Sequence, residues 1–189
     1  MKLREIIEYV DGVMPNAFAP EEKTLWLNDL EYAIQTDILN RTEEITDHVW
    51  ESSWRGPGVR VTDGTTLTIP GRLEARAGGE VLIEGLGKND GDGLTVLAAE
   101  VSDEETVLTF EAGTFDEDGA GEASIMYDGG GEEMLLPAQW QSLYHAWLRC
   151  RICENSREYS QYGNELQTYN NIMGRFQRWY ARTYIDPEE

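Results

Sequence analysis

Cys150-Arg151-Ile152-Cys153 has C-x-x-C spacing, and His145 lies just upstream of it. Thiols so placed serve a zinc ion or a dithiol–disulfide couple. A zinc site needs four ligands, and the other histidine, His48, is far away in sequence. A thioredoxin-like pair sits where a strand turns into a helix, whereas this one falls in mid-helix. The spacing therefore predicts two thiols on the packing side of a helix. Asn89-Asp90-Gly91-Asp92-Gly93 and Asp116-Glu117-Asp118-Gly119 carry the oxygen ligands of a calcium loop. Neither has the regular ladder closed by a bidentate glutamate, and both fall between strands, where Asn, Asp and Gly make turns. G-x-S-x-G, a phosphate-cradling loop with lysine, and H-E-x-x-H are all missing from the sequence. Carboxylates are too abundant for any one pair to be informative. No catalytic, metal or cofactor residue is assigned, and a non-enzymatic role is expected.

The composition narrows the classes further. The 189 residues hold 15 basic and 36 acidic side chains, a net charge of −21 with a pI near 4.3. Such a charge disfavours sequence-independent gripping of nucleic-acid phosphates. At 40% hydrophobic the chain has enough apolar surface to offset its conformational entropy, which excludes a disordered acidic tail. No run approaches the ~18 apolar residues of a membrane span. Met1-Lys2-Leu3-Arg4-Glu5-Ile6-Ile7-Glu8 lacks the apolar core of a signal peptide, so the expectation is a soluble protein made inside the cell.

Charge and glycine divide the chain in three. Residues 1–54 carry 4 basic and 12 acidic groups (net −8), residues 55–133 carry 5 and 18 (net −13), and residues 134–189 carry 6 and 6 (net zero). Every glycine except Gly12, Gly163 and Gly174 lies between Gly56 and Gly131, so turn chemistry is concentrated in the middle. Leu3, Ile6, Ile7 and Val10 predict a short amphipathic helix over 2–10, stopped by Gly12 and Pro15. Pro20, Glu21 and Glu22 suit the start of a second helix, whose apolar stripe is Trp26, Leu27, Leu30, Ala33, Ile34 and Ile38. Trp50 and Trp54 are expected to cover the junction with the middle.

From Val59 to Tyr127 the pattern switches to period two. Val59–Thr62 and Thr65–Ile69 flank Asp63-Gly64, a hairpin signal, and 81–84, 94–97, 106–110 and 123–127 supply further strands. Five or six short strands predict a small antiparallel barrel or sandwich. No tryptophan lies between Arg55 and Leu136, which argues against an aromatic sugar-binding platform there.

Pro137 opens a third helix with Trp140, Leu143, Tyr144, Trp147 and Leu148 on one face. A fourth follows after about Asn155. In it Tyr159, Tyr162, Leu166, Tyr169, Met173, Phe176 and Tyr180 alternate at steps of three and four, a coiled-coil-like seam. Aromatic rings with polar tips suit a surface that a partner buries. The expected fold class is α+β: an antiparallel α-helical bundle from the terminal arms (1–54 and 134–189), with an inserted small antiparallel β barrel or sandwich (55–133).

Two stretches extend this reading. Leu3-Arg4-Glu5-Ile6-Ile7, Pro15-Asn16-Ala17-Phe18, Lys23, Trp26-Leu27-Asn28-Asp29-Leu30-Glu31 and Ile34-Gln35-Thr36-Asp37 form the first. Leu136-Pro137, Tyr144, Trp147-Leu148, Asn164-Glu165, Tyr169-Asn170-Asn171-Ile172-Met173, Phe176 and Trp179-Tyr180-Ala181-Arg182-Thr183 form the second. Together they resemble the head–tail connector (adaptor) proteins of tailed phages and prophages of Gram-positive bacteria. The middle, with Gly78-Gly79-Glu80-Val81-Leu82-Ile83-Glu84-Gly85-Leu86, is similar to small β domains of phage structural proteins. Many adaptors lack such an insert or carry a short loop instead.

The resemblance implies a virion protein at the head–tail interface, assembled in the host cytoplasm as a ring of about twelve copies under the portal. Its implied partners are itself, the portal protein, and a head-completion (stopper) or tail protein. It implies neither sequence-specific nucleic-acid binding nor a membrane. Tyr159, Tyr162, Tyr169, Arg175, Arg178, Trp179 and Arg182 are the expected contact residues, with the arginines of the last third meeting acidic patches from residues 1–133 of a neighbour. The alternatives are another phage neck or tail component, and a ligand- or glycan-binding module carried by the β insert.

Overall fold

A computed structural model describes residues 1–39, 47–86, 91–115 and 119–184. Four helices and a seven-stranded antiparallel sheet make the chain α+β. The helices are α1 (Leu3–Val13), α2 (Pro20–Asp37), α3 (Gln141–Asn155) and α4 (Tyr159–Tyr184). The strands are β1 (Glu51–Thr62), β2 (Thr66–Pro70), β3 (Glu80–Glu84), β4 (Gly93–Thr95), β5 (Ala98–Val101), β6 (Glu105–Thr109) and β7 (Gly119–Asp128). The chain divides into two compact units, one of residues 1, 5–47 and 134–189, the other of residues 2–4 and 48–133.

In the helical unit, α1 and α2 are tied by polar groups at their turn. Asn16 Nδ2 donates to Asp11 Oδ1 at 2.8 Å and to the Met14 carbonyl at 2.9 Å, while its Oδ1 accepts from Phe18 N at 3.1 Å. Lys23 is buried, and its ammonium reaches the same Asp11 oxygen at 2.6 Å. A buried cation needs such a partner, so Asp11 and Lys23 hold the two helices at one spacing. Pro20 opens α2 as expected, and the Ala19 amide donates to the Glu22 carboxylate at 3.0 Å.

The strand order is β4-β3-β7-β1-β2-β6-β5, with every pairing antiparallel. Asp63 (φ 55°) and Gly64 (φ 63°) make the β1–β2 turn, both in the left-handed conformation that this hairpin requires. Alternation buries one face, where Val59, Val61, Leu67, Ile69, Val81, Ile83, Leu108, Phe110, Ile125 and Tyr127 form the core.

Three expectations change. The sheet is a single open ladder: β4 and β5 are its unpaired edges, not members of a closed barrel or of two stacked sheets. They are nevertheless joined through only Val96 and Leu97, whose amides bond to the Gly79 and Thr109 carbonyls at the two sides of the sheet (2.9 and 2.8 Å). The three steps from Thr95 to Ala98 span at most about 10 Å, so the sheet curls until its edges approach there. Second, the expected strand 94–97 is split: Leu94 and Thr95 belong to β4, Val96 and Leu97 make this crossing, and β5 lies beyond it. Third, β1 begins at Glu51, which puts 48–54 with the sheet and not with the helical arm. Ser52, Gly56 and Pro57 hid it, since β7 supplies the pairing; Pro57 sits at a register shift, beside Gly58 at φ 88°. Trp54 accordingly belongs to the sheet, packs against its core, and donates Nε1 to the Pro70 carbonyl at 3.1 Å.

Candidate functional site

The helical unit holds most of the residues expected to make contacts. Its interior is built on α3. Tyr144 is fully buried, and its hydroxyl donates to Glu31 Oε1 on α2 at 2.6 Å while accepting from the Leu136 amide at 3.1 Å. The Leu135 amide donates to the same carboxylate oxygen at 2.7 Å. Burial and the adjacent Glu31 carboxylate push the Tyr144 hydroxyl far above its ordinary pKa, so it remains a donor. Next along α3, Trp147 donates Nε1 to the Trp26 carbonyl at 2.5 Å, and the Arg151 guanidinium lies over both indoles (5.8 Å to Trp26, 5.6 Å to Trp147). Glu31 breaks the apolar stripe of α2 in sequence, which was the only sign of this network.

The α4 seam packs on α3 with a ladder of rings. Trp147 meets Tyr169 at 5.2 Å, and Trp140 meets Phe176 at 5.2 Å and Trp179 at 5.4 Å. An ion pair between Arg149 and Glu165 (3.0 Å) joins the same two helices. Tyr169 and Trp179 thus serve the fold; burial holds the Tyr169 hydroxyl up at about 12. Tyr162 is half-buried, whereas Tyr159 is 70% exposed and outside the seam.

The arginines divide likewise. Arg149 and Arg151 are occupied within the unit, Arg151 also pairing with Glu154 at 2.7 Å. Arg157 occupies the α3–α4 turn at φ 61°. Arg175, Arg178 and Arg182 are exposed on α4, and none of the three has an ion-pair partner among the described residues.

Cys150 and Cys153 are both reduced and buried within α3. Burial, then the Glu165 carboxylate, pushes the Cys150 thiol up to about 12; burial and Glu158 raise Cys153. Neither thiol is poised as a thiolate, so the pair suits packing and not redox exchange. His145 stacks on Tyr9 (4.1 Å between ring centres) and lines a hollow of about 310 Å³ with Met1, Glu5, Ile6, Gln141 and Ser142. Burial, with the positive charge of Arg149, lowers it to about 4, leaving the ring neutral. Among the described residues no group of three His, Cys, Asp or Glu could hold a metal ion. Residues 89–90 of the first Asp/Gly loop and 116–118 of the second lie outside the described residues.

The sheet unit has a buried polar knot of its own. His48 Nδ1 lies 2.5 Å from Glu132 Oε2, the Tyr127 hydroxyl donates to Glu132 Oε1 at 2.5 Å, and Arg76 Nη1 is 3.5 Å from Glu132 Oε2. His48, Tyr127 and Glu132 are all buried, which marks a structural clasp and not an accessible reaction centre. Glycine is obligatory around it: a Cβ on Gly79 would overlap the Tyr127 hydroxyl. Arg4 Nη2 donates to both Asp128 carboxylate oxygens (2.5 and 2.7 Å), with the guanidinium over Trp50 at 5.4 Å.

No family model matches this sequence, and a comparison with curated proteins finds no match. No described helix is long and apolar enough to cross a membrane.

Proposed function

We propose that this chain is a structural protein of a tailed-phage virion, a head–tail connector that forms a ring under the portal, extends the DNA channel and docks the next neck or tail component. One observation carries the reading. The residues at the two ends that resemble adaptors are those that fasten the ends together: Trp26 and Glu31 from the first stretch, Trp147 and Tyr144 from the second. In this reading α1 to α4 act as an antiparallel bundle, the adaptor body, and the curled sheet is a barrel-like insert carried by it. The charge supports the role, because carboxylates lining or rimming a DNA channel repel phosphates and let the duplex pass. A ring also needs a head-to-tail contact in which two different surfaces meet.

The test is co-expression of the tagged chain with the portal protein and, separately, with the tail-tube protein of the same phage genome, followed by electron microscopy of the particle neck. Co-purification with the portal and density directly beneath it are expected. Co-purification with the tail tube alone would replace this reading by that of a tail component.

A further inference from the structure

Two helix faces in the helical unit carry side chains that the described elements leave exposed. On α2, Leu25 is 63% and Tyr32 58% exposed, although both are large and apolar. Glu22 and Asp29 continue the line at steps of three and four, so one narrow stripe alternates carboxylate with apolar side chain. On α4, Arg175, Arg178 and Arg182 form an exposed line on the side away from buried Phe176. Like charges at these steps repel each other. The helix dipole accounts for Arg182 in the last turn, but its effect does not extend to Arg175 or Arg178. Three cations kept together at a cost within a chain of net charge −21 point to an acidic surface.

We infer that these faces are the two halves of one contact between copies of this chain, the α2 stripe of one copy receiving the α4 arginines of the next. The spacing matches: Glu22 to Asp29 and Arg175 to Arg182 are each seven residues, about 10.5 Å along a helix. Arginine stems would cover Leu25, and a guanidinium can lie on the Tyr32 ring. Because the halves differ, the contact is heterologous and repeats from copy to copy until a ring closes. This step gives the proposed ring its surfaces and rests on that reading for closure. DNA is the weaker candidate for the arginine line, since the chain as a whole repels phosphates.

Sedimentation velocity of the full chain at micromolar to millimolar concentration tests it. Association is expected in low salt, and it weakens as salt screens the pairs. Combining R175E with R178E lowers the association constant by about tenfold or more, and adding E22R and D29R to that chain restores it. Such restoration cannot come from misfolding. A wild-type chain that stays monomeric throughout, or an R175E/R178E chain that associates like wild type, overturns the inference. Duplex DNA binding that the arginine variant loses, without self-association, also overturns it and assigns the line to nucleic acid. Self-association without portal binding would keep this contact and reject the connector reading. Portal rings indifferent to R175E/R178E would do the reverse.

Discussion

Glu31 is a buried carboxylate that accepts from the Tyr144 hydroxyl on α3 and from the Leu135 amide in the segment before it. Tyr144→Phe removes one of them and leaves the Leu136 amide without its acceptor, so the helical unit should lose about 1–3 kcal/mol. Chemical denaturation followed by far-UV circular dichroism, dominated by helix, measures this. His145 supplies a pH dependence. Its pKa falls from 6.5 to about 4 in the folded chain, so the unfolded chain binds the extra proton first. The stability it contributes is present above pH 6.5 and is lost as pH falls from there towards 4. An NMR titration of the imidazole should show a midpoint well below 6.5, and Arg149→Gln should raise it. The buried thiols predict a third result: Cys150 and Cys153 should resist alkylation at pH 8 in the native chain and react fully once it is denatured.

Among the elements, α4 depends on α3 through one line of rings. Phe176 is the only residue of its seam that is fully buried, and it touches Trp140, Trp179 and Tyr180. Phe176→Ala should cost about 3–5 kcal/mol and open α4 locally, seen as faster amide hydrogen exchange over 170–183. The seam was readable from its three–four spacing alone, because a helix must bury such a stripe whatever its partner. β1 was harder to read. Its first half, Glu51-Ser52-Ser53-Trp54-Arg55-Gly56-Pro57, lacks strand propensity and is strand because β7 pairs with it from Glu51 to Pro57. The hairpin at Asp63-Gly64 was legible for the opposite reason, since its turn chemistry is local.

For the whole molecule, net charge sets how stability responds to salt. At −21 the folded chain repels itself, and screening between about 10 and 150 mM salt should raise its melting temperature. The proposed contact between copies should weaken over the same range. Scanning calorimetry and sedimentation on one salt series should therefore move in opposite directions.

Period and composition were sufficient to separate helical ends from a β middle, because burial of one face leaves a repeat in the residues themselves. They were sufficient also to read Cys150 and Cys153 as packing residues. Which side chains remain for a partner was settled only by folding. Tyr169 and Trp179 look freely available until Trp147 and Trp140 lie against them, and Leu25 and Tyr32 look unremarkable until the described elements leave them exposed. A side chain's type says what it can bind, whereas its availability depends on neighbours that are distant in sequence.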